Sequence, residues 1–452
     1  MRKTKAIALI SLIVATISLV GCGNAKENEV QEQTFAKWTE EEIFHKVPLL
    51  ETEKSRTGDV VDYGAGNYVL NVDGTEFKDY KEYLSLLEGA GFKKHADNGD
   101  NGLNGSVYTT TYTKETLAVT VTHLSAMNKT YISASEELEL SEHLIYQEKY
   151  IDGIKEGAQT TLSMMQLNDN GSSFLIQLKN GHIIMNDGGY YEDMASLLDY
   201  METLVPEGEK PVIEAWFISH SHIDHAGWTK KTNADDFKRV YVEAVYYNSA
   251  SDKVATATGS QAENKAVLRG AKLLRSTEGK APNVYRPQTG QRYYFCDITV
   301  DILLAQEQIP FAEQCGLGYP DDAGGDANAL TTWLMYTIEG QKFLFNGDTE
   351  IDQMVLANHI YGEDYFNVDI MSVPHHGHNV YGGYLGFNEV KTLLYTNPTA
   401  EDEAWGDLAI KANLEWQKEA VEFMTYGDGT KVLTFPYEIG TAQTIQTLNS
   451  NQ

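Results

Sequence analysis

The side chains that could carry out chemistry are concentrated in one hexapeptide, residues 220–225. It places three imidazoles and one carboxylate side by side in a chain that has only 12 histidines among 452 residues. Imidazole and carboxylate are the ligands that zinc and similar cations favour. In an extended chain His220 and His222 point to the same side and could serve one ion. Asp224 and His225, which follow them, could point elsewhere and serve a second ion. The spacing therefore favours a dinuclear site over a single structural zinc.

Apolar runs that predict strands precede this hexapeptide and three other polar segments. The run Val212–Ile218 predicts a buried strand that ends just before His220. Residues 173–189 predict a hairpin closed at Asn180-Gly181, because this dipeptide is a strong turn signal. The polar segments that follow the other runs are Asn186-Asp187-Gly188-Gly189, Asn346-Gly347-Asp348 and Pro374-His375-His376-Gly377-His378.

In this order, the four polar segments resemble the metal-binding motifs of the metallo-β-lactamase superfamily over about residues 160–440. The residues of these segments, together with Asn328-Ala329-Leu330 at the start of a strand before Asp348, resemble one branch of this superfamily. That branch is the metallo-β-lactamase-like domain of bacterial DNA-uptake channels, with relatives that include a phosphorylcholine esterase. The resemblance implies an α+β class with αββα layers, and hydrolysis that depends on two divalent ions. Zinc is the expected metal, with manganese as the alternative.

The resemblance also implies which side chains hold each ion. The ligands of the first ion are His220, His222 and Asp348. The ligands of the second ion are Asp224, His225, the shared Asp348 and one histidine of the pair His375 and His376, with the choice between them open. The predicted catalytic residues are Asp224, His376 and His378, since the histidine that does not bind metal could donate a proton to the leaving group.

Two further residues are expected to support the ligands. Asp187 would orient a ligand imidazole, although aspartate also fills turns of this kind. The chain departs from the superfamily pattern because no histidine lies between His225 and His359. The first ion would therefore have fewer protein ligands, and Asn328, Asp326 or water could complete its shell.

The N-terminus predicts a lipoprotein signal peptide over residues 1–21. A basic start is followed by an apolar stretch that is too short to span a bilayer comfortably, and Leu19-Val20-Gly21-Cys22 matches the bacterial lipobox. Cys22 would carry the lipid, and an ordinary secretory signal is the alternative. Residues 22–57 would form a polar tether that anchors the protein to the outer face of the cell membrane.

The net charge argues against a nucleic acid as the partner. The formal charge is −30, and removal of Arg2, Lys3 and Lys5 with the signal peptide takes it to −33. Such a surface repels polyanions, and nucleic acids are held largely by lysine and arginine. A small or polymeric phosphoester is the expected substrate.

Two folded parts are predicted after the tether, a small α+β module at residues 58–137 and the hydrolase domain at residues 145–445. The module would contain a helix at Glu76–Gly89 and short strands, and could dock substrate, contact the cell wall or act as a spacer. Its lone histidines, His95, His123 and His143, are expected to be exposed or structural. The helices predicted in the second part are Glu192–Leu204, Gln261–Leu274 and Leu408–Thr425. The strands predicted there include Arg239–Tyr246, Tyr293–Leu304, Thr331–Ile338 and Val432–Phe435.

The function expected from these observations is hydrolysis of a phosphoester or phosphodiester by a metal-activated water. One alternative is a surface binding lipoprotein with a vestigial metal site, which the missing histidine motivates. The other is hydrolysis of a lactone or β-lactam, because a fold alone does not determine the substrate. Cys296 and Cys315 could form a disulfide outside the cell, and two free thiols are an equal alternative.

Overall fold

The computed structural model describes residues 39–64, 66–136, 140–231, 234–305, 327–377, 389–398 and 422–447. These residues belong to one compact unit that mixes helices and sheets, which confirms the predicted α+β class. Within these ranges no helix has the length and apolar character needed to cross a bilayer. The α-helices are α1 Phe77–Gly89, α2 Met194–Thr203, α3 Ile223–Ala226, α4 Asp252–Ala257, α5 Gln261–Ala271 and α6 Ile351–Tyr361.

The first six strands form an antiparallel sheet, called here the N-terminal sheet, in the order β1-β2-β6-β5-β4-β3. These strands are β1 Arg56–Asp62, β2 Asn67–Asp73, β3 Lys93–Asp97, β4 Val107–Lys114, β5 Leu117–Leu124 and β6 Lys129–Glu136. Helix α1 buries Tyr80, Tyr83 and Leu87 in a core that it shares with this sheet. The helix confirms the prediction and begins after Glu76, which forms a capping box with Asp79.

A nine-stranded sheet follows, in the order β13-β12-β10-β9-β8-β7-β21-β22 with β11 beside β10. Its strands are β7 Thr161–Met164, β8 Phe174–Gln177, β9 Ile183–Asn186, β10 Val212–Ile218, β11 Tyr241–Val242, β12 Ala244–Tyr247, β13 Asn283–Tyr285, β21 Thr430–Thr434 and β22 Gln443–Ile445. Strands β8 and β9 form the predicted hairpin, whereas β9, β10 and β12 run parallel. Parallel strands are buried on both faces, which explains the apolar residues of β10, with Glu214 as the one charged exception in the strand.

A seven-stranded sheet has the order β14-β15-β16-β17-β18-β19-β20. Its strands are β14 Arg292–Phe295, β15 Ile298–Leu304, β16 Trp333–Ile338, β17 Gln341–Phe345, β18 Ile370–Ser372, β19 Thr392–Tyr395 and β20 Glu422–Thr425. Strands β14 to β17 are antiparallel, and β17 to β20 are parallel. The carboxyl ends of β17, β18 and β19 therefore lie along one edge.

Three predicted elements of the second part differ from the structure. The strand predicted at Tyr293–Leu304 is a hairpin, because the chain turns at Cys296, whose φ is 50°. The strand predicted at Arg239–Tyr246 is divided into β11 and β12. The helix predicted at Leu408–Thr425 is wrong at its end, where β20 pairs with β19, and its earlier part lies outside the described residues.

The nine- and seven-stranded sheets face each other across one hydrophobic core. The ring of Phe174 on β8 lies 5.6 Å from the rings of Phe343 and Phe345 on β17, measured between centroids. The hydroxyl of Tyr336 on β16 donates to the side-chain oxygen of Asn186 on β9. These contacts fix the two sheets against each other next to the end of β9.

The N-terminal sheet shares a second core with the seven-stranded sheet and α6. Val107 and Tyr131 of the N-terminal sheet belong to the same buried cluster as Trp333 of β16 and Ile360 of α6. The predicted boundaries of a separate module at residues 58–137 stay a prediction, but this sheet contributes to a core that it does not build alone.

Hydrogen bonds connect the N-terminal sheet to the turn before β14. The side-chain amide of Asn98 donates to the carbonyl of Gly290 at 3.0 Å, and the hydroxyls of Thr109 and Thr122 both donate to the carbonyl of Thr289. Gly290 has a φ of 86°, and a Cβ there would lie 2.0 Å from the Thr109 hydroxyl. We call this contact the seam.

The histidines of the predicted module do not share one environment. His123 on β5 is 1% exposed, with Nδ1 3.2 Å from the Thr130 hydroxyl and no hydrogen-bond partner for Nε2 among the described residues. His143 is also buried, with Nδ1 2.8 Å from the carbonyl of Tyr294. Burial lowers the pKa of His123 to about 4, although the nearby Asp79 opposes the shift.

We expect His123 to destabilise the protein in acid. The unfolded chain has the higher pKa at this histidine and takes up the proton first, so stability is complete above about pH 6.5 and falls towards pH 4. Between pH 7 and 5 the loss is about 2 kcal/mol. His123→Phe keeps the ring beside Tyr80 but cannot titrate. In urea titrations, its free energy of unfolding should fall by about 2 kcal/mol less than that of the wild type. Equal falls would contradict the assignment.

Candidate metal centre

The predicted ligands lie where strands of both large sheets end. Strand β10 leads into His220, β17 leads into Asp348, and β18 leads into the pair His375 and His376. In open sheets, ligands bind in the crevice beyond the carboxyl ends of parallel strands. The two sheets bring these ends together, so residues far apart in the chain become neighbours.

The hexapeptide turns into the short helix α3 immediately after β10. The backbone amides of His225 and Ala226 both donate to the carbonyl of His222, which starts this turn. Gly227 then packs against the chain at Gly189, where a Cβ would lie 2.5 Å from a carbonyl oxygen. Glycine is required at this close approach, which holds the hexapeptide against the end of β9.

Asp348 is brought to the same place by a tight turn after β17. Gly347 has a φ of 46°, and a Cβ there would lie 2.9 Å from the side chains of Ser219 and Thr331. The turn therefore touches the end of β10 directly. Asp348 is 2% exposed, so its carboxylate is buried between the two sheets.

One group of four potential ligands brings together residues that the sequence analysis assigns to the second ion. Its members are Asp224, His225, Asp348 and His376, whose ligand atoms all lie within 4.8 Å of one another. Asp348 Oδ1 is 3.0 Å from His225 Nε2 and 3.5 Å from His376 Nε2. Asp224 Oδ2 is 3.2 Å from His376 Nε2 and 3.6 Å from His225 Nε2.

A second group brings together the three residues that the sequence analysis assigns to the first ion, His220, His222 and Asp348. The rings of His220 and His222 lie 4.7 Å apart. His220 Nε2 faces the other oxygen of the shared carboxylate, Asp348 Oδ2, at 3.9 Å. The two oxygens of Asp348 thus face different groups, as expected for a carboxylate that bridges two cations.

The Nδ1 atoms of three histidines are held by groups outside the centre. His225 Nδ1 is 2.6 Å from Asp187 Oδ2, His220 Nδ1 is 3.0 Å from the Ser219 hydroxyl, and His376 Nδ1 is 3.0 Å from the carbonyl of Thr396. This arrangement fixes the tautomer that leaves each Nε2 lone pair for the centre. The Nε2 atoms of His220 and His225 are buried and have no hydrogen-bond partner within the described ranges.

Burial and mutual charge set the protonation of the centre. Burial lowers the pKa of His220, and the neighbouring His225 lowers it further. Burial also opposes charge on His376, but Asp348 and Asp224 outweigh it and raise the pKa to about 9. Asp348 is buried too, yet His225 and His376 hold its pKa well below the usual range. A histidine must lose its extra proton before it can bind a metal, so cation binding at this centre would release the proton that the two carboxylates hold on His376.

Two predicted residues of the centre, His375 and Asn328, belong to neither of the two ligand groups. His375 is partly exposed, with Nε2 3.9 Å from Asp348 Oδ2 and 3.4 Å from the side-chain nitrogen of Asn328. Burial lowers the pKa of His375 despite the nearby Asp348. Asn328 is buried beside it.

Cys296 is a free buried thiol. The predictions that lie outside the described residues are Cys22, Cys315, Asp326 and His378.

Sequence reasoning missed Ser219 and Thr396. Ser219 donates to Asp187 Oδ2 at 2.9 Å and thereby links the supports of two histidines, and its place directly before the hexapeptide could have indicated it. Thr396 follows β19, a strand that bears no local motif, so its contact with His376 depends on the pairing of β18 with β19.

Asp187 should control metal affinity through His225. Its carboxylate is completely buried and accepts from the Ser219 amide, the Ser219 hydroxyl and His225. Asp187→Asn keeps the size and suits the φ of 54° but weakens the hold on the imidazole. We expect a loss of about 10–100-fold in zinc affinity, measured by competition with a chromophoric chelator. Asp193→Asn is the control, because Asp193 is a second buried carboxylate near this loop. An equal loss of zinc affinity in Asp193→Asn would contradict the prediction.

Comparisons with known proteins give little beyond the geometry. No family model matches the chain, and no curated protein sequence matches it. Among solved structures 21 chains match, including Zn(2+)-bound PqqB from Methylobacterium extorquens. That match has 10% sequence identity and a TM-score of 0.33, and it covers 57% of this chain and 86% of PqqB. A TM-score of this size establishes neither a shared fold nor a shared activity.

Proposed function

We propose that the protein is a metal-dependent hydrolase that cleaves a phosphoester or phosphodiester at this centre. The observation that carries the proposal is the buried carboxylate of Asp348, whose two oxygens face two separate groups of histidine and aspartate ligands. Two-metal sites of this kind serve phosphatases and nucleases. When bound, two divalent ions supply a water of lowered pKa and neutralise charge on the phosphoryl oxygens.

The protein's own residues have distinct tasks in this proposal. His220, His222 and Asp348 would hold the first ion, and Asp224, His225, Asp348 and His376 would hold the second. Asp187, Ser219 and Thr396 keep the imidazoles oriented and so fix the shape of the centre before substrate arrives. Burial of the ligands excludes water from their far sides and strengthens their electrostatic effect.

The proposal also includes the layered fold of the protein and its location in the cell. The two facing sheets with α6 on the seven-stranded one support the αββα layering that the superfamily resemblance implies. The lipobox ending at Cys22 supports a lipid anchor on the extracytoplasmic face of the cell membrane. Incorporation of labelled palmitate into the wild type, and its loss in Cys22→Ser, would test the anchor.

The experiment compares three substrates on the full-length protein purified in detergent. Bis(p-nitrophenyl) phosphate, p-nitrophenyl phosphorylcholine and nitrocefin would be assayed after removal of metal and reconstitution with zinc or manganese, with Asp348→Asn as the blank. We expect phosphodiester cleavage that depends on metal and is lost in the variant. Turnover of nitrocefin alone would indicate β-lactam hydrolysis instead. No turnover and no bound metal would favour the binding lipoprotein.

A further inference from the structure

The turn that carries the histidine pair has an uncommon backbone. His375 has φ and ψ of 48° and 47°, and His376 has 55° and 13°, so two consecutive non-glycine residues are left-handed. Histidine enters this region more often than most residues, but two in succession are strained. Such strain is kept where the surrounding structure holds it, often at functional sites.

The strained turn is fastened to the loop that carries the shared carboxylate. The backbone amide of His375 donates to the carbonyl of Gly347 at 3.0 Å, directly before Asp348. Its partner His376 is held from the other side by Thr396. As a result both imidazoles approach Asp348, although neighbours in a regular strand would point to opposite faces.

The two imidazoles approach different oxygens of that carboxylate. His376 Nε2 lies 3.5 Å from Oδ1, the oxygen that His225 also faces. His375 Nε2 lies 3.9 Å from Oδ2, the oxygen that His220 faces at the same distance. Ligand atoms of a cation with bonds of about 2.1 Å are separated by roughly 3–4 Å, so both separations suit a shared ion.

The number of donors differs between the two positions. Among the described residues, the second position has four potential protein ligands and the first has three. Zinc at a catalytic site can expand to five ligands, so the first position has room for one more protein ligand beside a water or a substrate. Two polar side chains lie beside the first position, those of Asn328 and His375. The side-chain nitrogen of Asn328 is 3.4 Å from His375 Nε2.

We propose that His375 is the fourth protein ligand of the first metal position, bound through Nε2. The pair then divides its two histidines between the two ions, and neither is left as a proton donor. Asn328 lies beside the imidazole and positions it. This inference rests on the proposed metal centre and assigns the role of a residue that the ligand groups leave out.

The test is a metal titration of the full-length protein in detergent. Cobalt(II) would be added to metal-free wild type, His375→Gly, His376→Gly and Asn328→Ala, with bound metal counted by mass spectrometry and coordination followed by visible absorption. Glycine accepts the left-handed backbone at both positions, so the two glycine variants are matched and should fold. Circular dichroism and the unfolding midpoint of the metal-free proteins would check this.

We expect the wild type to bind two equivalents. His375→Gly should keep one tight equivalent and bind the other about 100-fold more weakly, with loss of absorption from the weakened position. His376→Gly should weaken the other equivalent, with a different spectral change. Wild-type titration of His375→Gly would overturn the inference even if turnover were lost, because a proton donor would behave in that way.

Two other outcomes are also decisive. Weak binding in Asn328→Ala, together with wild-type binding in His375→Gly, would assign the amide as the ligand and overturn the inference. If the wild type bound no metal at all, the proposed function and this inference would both fail. A wild type with two ions but an unchanged His375→Gly affects this inference alone.

Discussion

Asp348→Asn should lose both metal ions and reduce kcat/KM by about 10³-fold or more, the scale expected when an active site loses a charge-stabilising group. The carboxylate is the only member that both ligand groups share among the described residues. Asparagine keeps the volume but removes the negative charge, and its nitrogen cannot bind a cation. The loss should therefore exceed that of any single histidine, since it affects two positions at once.

The measurement for this variant is metal content together with turnover. Elemental analysis after dialysis should give two ions for the wild type and none for Asp348→Asn, with the circular dichroism spectrum preserved. Asp369→Asn is a suitable control because Asp369 pairs with Lys391 away from the centre. Two retained ions or wild-type turnover in Asp348→Asn would exclude the bridging role.

Removal of the N-terminal sheet, residues 39–136, should prevent the rest of the chain from folding. Five of its buried side chains belong to the core that it shares with the seven-stranded sheet, namely Val69, Leu103, Val107, Leu124 and Tyr131. At about 1.5–3 kcal/mol for each large buried apolar side chain, their loss is comparable with the whole stability of a typical domain. The exposed partners, among them Trp333, would then promote aggregation.

A matched pair of glycine variants tests the same contact without removing any segment. Gly290 and Gly279 both have left-handed φ values, of 86° and 77°, but only Gly290 lies against the N-terminal sheet. Alanine costs about 1–2 kcal/mol at either position because of the backbone. Gly290→Ala must in addition displace Thr109, which a Cβ would approach to 2.0 Å.

We expect Gly290→Ala to lower the free energy of unfolding by at least about 2 kcal/mol more than Gly279→Ala, as is usual for an overpacked site. Urea titrations of both variants, followed by tryptophan fluorescence, give this difference. Equal effects would mean that the seam tolerates separation, and the truncated chain lacking residues 39–136 should then be soluble and folded. The urea titrations and the truncated chain together decide whether the rest of the protein needs the N-terminal sheet in order to fold.

The sequence predicted the parts of the fold that have local signatures. Asn180-Gly181 indicated a hairpin because the turn type depends on those two residues, and the run before His220 indicated a buried strand because parallel strands are apolar throughout. The spacing of residues in β20 predicts the end of a helix instead. This segment is a strand because it pairs with β19, and such tertiary contacts override local spacing.

The candidate site was predictable to a similar extent. The hexapeptide and Asp348 follow strands that could be identified in the sequence, so their residue types alone indicated the chemistry. The supports could not be identified in this way: Thr396 reaches His376 only because β18 and β19 are parallel neighbours. The left-handed turn at His375 depends on its bond to Gly347, a contact between segments that no local pattern records.

The position of the centre between the ends of two facing sheets has a mechanical consequence. Ligands from β10 belong to one sheet and Asp348 to the other, so a bound ion would act as a removable cross-link between them. Occupancy would then govern how readily the sheets separate, even with secondary structure unchanged. The loaded and chelated forms would differ in their resistance to proteases, and the supply of metal would set the lifetime of the protein as well as its activity.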